Sequence, residues 1–170
     1  MKEEYLAGAC KDQLNLVLSF FQRVDAKASV VLAVNTGMVG YLAGRLPPLK
    51  SLELWEVIPP AMAFLLSALS YWHLYKGAFP RLEGGNQSLV YFREIAIRTE
   101  AKFIDEFMKQ PEHDYSRDLL GQAWRNAEIL KQKFDHLKWS FVFMACAVLP
   151  WSIALAVLAM KKTAVTGVGP

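Results

Sequence analysis

Two stretches of this chain run for four turns or more without a charged residue, and a third comes close. Residues 28–44 and 139–160 contain no Asp, Glu, Lys or Arg, while 54–75 carries only Glu56 near its start and His73 near its end. A hydrocarbon core of about 30 Å takes about 20 apolar residues as helix, and about 17 at the least. The first block sits at that limit and the third spans comfortably. The second, clean over 57–72, depends on Pro59 and Pro60 falling in or near its first turn, where proline is tolerated. A helix that shows one face to water carries a polar stripe, and none of the blocks has one. With 54% hydrophobic residues concentrated in this way, lipid is the expected solvent for all three. A cleaved signal peptide is not expected, because the first 27 residues are mixed in charge and the apolar block comes late.

The basic residues orient the spans, since they stay preferentially on the cytoplasmic side. Lys2, Lys11, Arg23 and Lys27 precede the first block, and eleven more lie in 76–138. Only Arg45 and Lys50 lie in 45–53, and only Lys161 and Lys162 follow the last block. A cytoplasmic N-terminus therefore places fifteen basic residues inside and four outside. Tyr71, Trp72, Tyr75 and Trp139 would then mark the inner headgroup level, and Tyr41 and Trp55 the outer one. The expected fold is all-α. Three transmembrane helices carry a cytosolic helical bundle built from extensions of the first and last spans plus the 76–138 region. The expected division is a cytosolic N-terminal helix over 1–27, spans one and two over 28–75, a cytosolic region over 76–138, span three over 139–160 and an external tail over 161–170. Cys10 and Cys146 fall in different compartments and cannot pair.

Periodicity links the cytosolic parts to the membrane. Leu6, Cys10, Leu14, Val17, Phe21, Val24 and Ala28 recur every three or four residues, with no Pro or Gly from Ala9 to Thr36, so one helix of roughly 35 residues passes from cytosol to bilayer. Leu120, Ala123, Ala127, Leu130, Phe134 and Leu137 form a second stripe that feeds the last span, with a kink expected at Pro150. Between them Ser88 is an N-cap candidate for a helix carrying Leu89, Phe92, Ala96, Thr99, Phe103 and Phe107, and 110–116 reads as a loop. Ser29, Ala33, Gly37, Gly40 and Gly44 place small residues along one side of the first span, a pattern that lets helices approach within a chain or between chains. Asn35, polar at membrane depth, should hydrogen-bond a neighbouring helix.

No catalytic pattern stands out. His73, His113 and His136 lack metal-ligand spacing, and there is no phosphate-binding P-loop, GxSxG or CxxC. The reading is therefore a non-enzyme without metal or cofactor. Two stretches invite a ligand. Arg23 and Lys27 flank Asp25 where the first helix meets the inner leaflet; they serve either as snorkelling headgroup anchors or as part of a polar site. The run from Phe79 to Ser88 offers free backbone N–H groups at a helix start, which suit an anion. Arg81 and Arg93 could add charge-assisted bonds, and Tyr91 or Phe92 could stack on a base. The plain alternative is an ordinary turn before a capped helix.

Together RVDAKAS running into VVLAVNTGMVG, then FPRL, SLVYFREIA and NAEILKQKFDHLKW resemble the transmembrane effectors of the Pycsar anti-phage system, from about Gln13 to Met160. The resemblance implies an inner-membrane, multi-pass effector of bacterial defence. It would bind cyclic UMP or cyclic CMP made by a partner pyrimidine cyclase and then impair the membrane, causing abortive infection. The expected partners are that nucleotide, the lipid bilayer and further copies of the chain, with no nucleic acid. Carried over to the matching stretches, it points to Arg23, Lys27, Arg81 and Arg93 for the phosphate, Tyr91 for stacking and Asn126 as a reader of the base edge. A membrane-anchored structural protein that docks a cytosolic partner is the competing reading.

Overall fold

A computed structural model describes residues 2–48, 52–79 and 85–166, and among them it contains helix and no strand. The elements are α1 (Lys2–Ala43), α2 (Leu54–Ala78), α3 (Phe92–Ala96), α4 (Glu100–Lys109) and α5 (Glu112–Thr166). At 42 and 55 residues, α1 and α5 reach about 60 and about 80 Å at 1.5 Å per residue. The chain divides into two compact units. Unit 1 is Met1–Asp25 with Phe79–Phe134, and unit 2 is Ala26–Ala78 with Asp135–Pro170, so α1 and α5 each contribute to both.

Along α1 the inward-facing positions are Cys10, Leu14, Val17, Phe21, Val24, Ala28, Val31, Asn35, Met38 and Leu42. They alternate steps of four and three, the heptad rhythm that keeps one seam facing its partners. In α5 the buried line is Leu119, Ala123, Leu130, Leu137, Ser140, Ala147 and Ala154. This corrects the expected stripe, because Leu120, Ala127 and Phe134 are exposed. Those three share a heptad line of their own, one position round the helix from the seam, so spacing alone does not choose between the lines.

Two further expectations are corrected by local chemistry. Helix α5 begins at Glu112 rather than after residue 116: the Pro111 carbonyl accepts from Asp114 N and Tyr115 N at 3.0 Å each, and Glu112 and Asp114 favour the positive end of the dipole. The single helix expected from Ser88 is two. It breaks over 97–99 because Thr99, in extended backbone, caps α4 by accepting from Lys102 N at 3.4 Å. That bond is long, so Thr99→Ala should cost only about 0.5–1 kcal/mol. The expected readout is faster hydrogen exchange confined to the first turn of α4. Pro59 and Pro60 stand in the second turn of α2, since the helix starts at Leu54.

The interior of unit 2 is mixed, with Asn35, Ser67, Ser70 and Ser140 beside Ala63, Ala147 and Ala154 as well as Val31, Met38 and Leu42, while Val30, Ile58, Leu65, Phe141 and Leu149 are exposed. Exposed large apolar side chains with small and polar residues at the helix contacts suit helices packed in lipid, where close approach rather than hydrophobic burial drives association. Helices α2 and α5 are long and apolar enough to cross a membrane. The expected bond of Asn35 is present, from Nδ2 to Ser70 Oγ at 2.7 Å.

Candidate functional site

In unit 1 the segment from Gly85 to Tyr91 leads into α3 and is held from two sides. On one side, α5 presents Asp118, Gln122 and Arg125 at spacings of four and three, hence on one face. Asp118 Oδ2 accepts from Ser88 Oγ and Leu89 N, both at 2.9 Å. Gln122 Nε2 donates to Ser88 Oγ at 3.1 Å. That hydroxyl also accepts from Val90 N at 3.1 Å and Tyr91 N at 2.9 Å, so Ser88 shapes the turn and does not cap α3, whose N-cap is Tyr91.

On the other side Arg98 is fully committed. Its Nε donates to Glu106 Oε2 at 2.8 Å, its Nη2 to Gln87 O at 3.0 Å, and its Nη1 to the carbonyls of Ser88 and Glu94. Gln87 N donates to Glu94 Oε2 at 2.9 Å. Between these holds Gln87 sits at φ 64, the left-handed region, which costs a non-glycine residue on the order of 1 kcal/mol and persists where surrounding contacts over-determine it.

Two polar groups next to it are unsatisfied among the described residues. Arg125 Nη1 is buried without a hydrogen-bond partner, and it lies so close to Gly85 that a Cβ built there would stand 2.0 Å from it. Gln110 Oε1 is likewise buried and unpartnered. Gln110 lines a cavity of about 520 Å³ with Gln87, Leu89, Glu94, Ile97, Arg98, Lys102 and Glu106, within the size range of small-ligand pockets. A buried guanidinium nitrogen without an acceptor has the chemistry that an anion would satisfy. An amide acceptor in a cavity wall can read a donor edge.

The residues singled out from the sequence fall as follows. Tyr91 is half-buried at the end of the segment and packs edge-on against Phe92, centroids 5.0 Å apart. Arg93 is exposed on α3. Asn126 neighbours Arg125 on α5, but its Nδ2 donates to Gln122 O at 2.8 Å on its own helix. Arg23 is exposed in unit 1, its guanidinium 5.0 Å from the Phe20 ring centroid. Lys27 is exposed in unit 2. Asp25 pairs with Lys133 at 2.7 Å. Arg81 lies outside the described residues, as does most of the FPRL stretch. Arg125 was not singled out by sequence reasoning. The signal for it was the polar line Asp118–Gln122–Arg125, which runs beside the apolar stripe at the same spacing.

A family model described as PycTM, the Pycsar effector protein domain, matches residues 9–160. No curated protein and no solved structure matches the chain.

Proposed function

The chain belongs to the Pycsar effector family, and on that premise we propose that it binds a cyclic pyrimidine mononucleotide in unit 1 and then impairs the inner membrane through unit 2. It is an anti-phage effector by family, and the family implies a pyrimidine cyclase as the source of the signal. The observation that carries the ligand reading is the unpartnered Arg125 Nη1 against Gly85. A cyclic mononucleotide presents one phosphate charge and one base, and Arg125 suits the first. Arg81 and Arg93 are further phosphate candidates, with Arg23 and Lys27 on α1 as exposed cations. Tyr91 is the stacking candidate, and Asn126 or Gln110 would meet the base edge.

The topology proposed with this is three spans, from α1 beyond Ala28, α2 and the apolar part of α5, with the N-terminus and unit 1 in the cytosol. The basic-residue balance supports that orientation. The unbroken run of α1, which supplies residues to both units, supports coupling between them. Gly37 and Gly40 have nothing within 4 Å of where a Cβ would stand. Their small face is therefore unused within the chain, and a second copy is the occupant we assign to it.

Calorimetric titration of the full chain in detergent tests the ligand. Heat is expected with cyclic UMP or cyclic CMP, and no heat with either at micromolar protein overturns the assignment. Gly85→Ala should push the Arg125 guanidinium aside and weaken binding about tenfold, the loss of one modest charge-assisted bond. Its melting temperature should stay close to that of the parent, because the atom displaced is the end of a flexible side chain. A second reading, docking of a cytosolic protein, is favoured by the exposed Phe92, Ile97, Met108 and Trp124 of unit 1. A stable co-purifying protein with no nucleotide response would select it.

A further inference from the structure

The interior of unit 2 contains a polar junction where three helices meet. Asn35 of α1, Ser70 of α2 and Ser140 of α5 are each 0% exposed. Asn35 Nδ2 donates to Ser70 Oγ at 2.7 Å, Ser70 Oγ donates to Ser140 O at 2.8 Å, and the two hydroxyls lie 2.9 Å apart. One turn along the same α2–α5 contact, His73 Nδ1 and His136 Nδ1 are 3.3 Å apart. In the other direction along α2, Ser67 is buried as well. Polar groups thus follow one another along the seam and then stop. Two turns from Asn35 on α1, Leu42 is 1% exposed and forms an apolar contact with Ala63 and Ala154, backed by Phe64, Trp151, Leu155 and Leu158.

Interhelical hydrogen bonds can serve as glue in lipid, and a core asparagine can fix helix register. Neither role explains Asn35 Oδ1, which is buried with no partner among the described residues. Rotating the amide by half a turn would move the deficit to Nδ2 without removing it, because Ser70 offers the only contact described for this side chain. A bare amide oxygen in a low-dielectric interior is costly. Water, which donates and accepts, is the guest that satisfies it, and buried waters occupy sites of this chemistry.

We propose that the Asn35–Ser70–Ser140 junction is the polar core of a water-filled path that opens along the α1–α2–α5 seam, with the Leu42–Ala63–Ala154 contact as the apolar constriction that closes it. Protons and small monovalent cations are the species such a path carries. Hydrophobic constrictions gate by excluding water, and polar residues at membrane depth mark the route that water takes. The path deepens the membrane-impairing reading and rests on it only for the trigger, since opening would require α1 to turn Leu42 away from Ala63.

The test uses the full chain in phosphatidylethanolamine–phosphatidylglycerol vesicles with a trapped pH-sensitive dye and an external acid pulse, without nucleotide. Leu42→Asn keeps the side-chain size and makes the constriction wettable, and it should raise the proton leak at least about tenfold over the parent. Adding Asn35→Leu to that background should return the leak to the parent level, while Leu42→Ile alone should leave the vesicles tight. Size-exclusion profile and helical circular dichroism check each variant, and Leu42→Thr replaces any that aggregates. Vesicles with Leu42→Asn as tight as the parent, or a leak that survives Asn35→Leu, overturn the path. A parallel arm adds cyclic UMP or cyclic CMP to the parent. A nucleotide-driven leak with a tight Leu42→Asn rejects the constriction and keeps the effector reading. A leaky Leu42→Asn, closed by Asn35→Leu, with no nucleotide response keeps the path and rejects the trigger.

Discussion

Arg125→Met protein is expected to melt higher than the parent and to bind cyclic pyrimidine mononucleotides at least about tenfold more weakly, a charge-assisted bond being worth roughly 1.5–3 kcal/mol. The two effects have one cause. In the free protein Nη1 is buried without an acceptor among the described residues, and a buried unsatisfied donor costs about 1–3 kcal/mol. Methionine preserves much of the apolar stem and removes that cost, so a gain of a few degrees is expected. The bound state loses the α5 cation that lies against Gly85. A differential thermal melt and a calorimetric titration, both on the full chain in detergent, read the two effects separately. If Arg125→Met lowers both stability and affinity, Arg125 is structural and the receptor lies elsewhere. Arg125→Lys should fall between, since an ammonium keeps the charge but loses the planar fork.

Arg98 supplies the contrast. Its donors end on Glu106 and on the carbonyls of Gln87, Ser88 and Glu94. A sequence does not reveal which of two arginines is already bonded, because that depends on where the chain from Gly85 to Tyr91 folds back. The same limit hid the break over 97–99, where the apolar spacing of Ala96, Thr99, Phe103 and Phe107 continues through residues that leave the helix. It also concealed the choice between the two heptad lines of α5. The α1 seam was legible from Cys10 to Ala28, where every position predicted inward is buried or half-buried, while Leu6, predicted with them, is exposed near the helix start. There a single face is used from end to end, so periodicity carries all the information. Two of the three apolar blocks were legible as helices long and apolar enough to cross a membrane, α2 and α5, because length and composition alone set that property. Asn35 announced itself as the polar exception inside such a block. Its partner Ser70, 35 residues away, and the Ser140 that Ser70 bonds in turn could come only from the fold.

Removing the carboxylate of Asp118 should be the most disruptive change in unit 1. Asp118 Oδ2 is the acceptor for both Ser88 Oγ and Leu89 N, and Ser88 and Leu89 are buried. Asp118→Ala strands two donors at about 1–3 kcal/mol each, and the loss spreads because the same serine hydroxyl organises Val90 N, Tyr91 N and Gln122 Nε2. The left-handed Gln87 then loses one of the two holds that keep it strained. The amide of Leu89 should exchange with solvent faster by roughly thirty-fold or more, the factor that about 2 kcal/mol of local destabilisation implies. Amides of α2 serve as the internal reference and should keep the parent's rates. Asp118→Asn retains an acceptor oxygen at the same reach and should recover most of the protection. The ligand follows the loop: with Gly85 no longer held against Arg125, nucleotide heat should vanish in Asp118→Ala and return, weakened, in Asp118→Asn. Unchanged exchange at Leu89 in Asp118→Ala would mean that Arg98 and Glu94 suffice to hold the segment, and that the α5 face does not build the site.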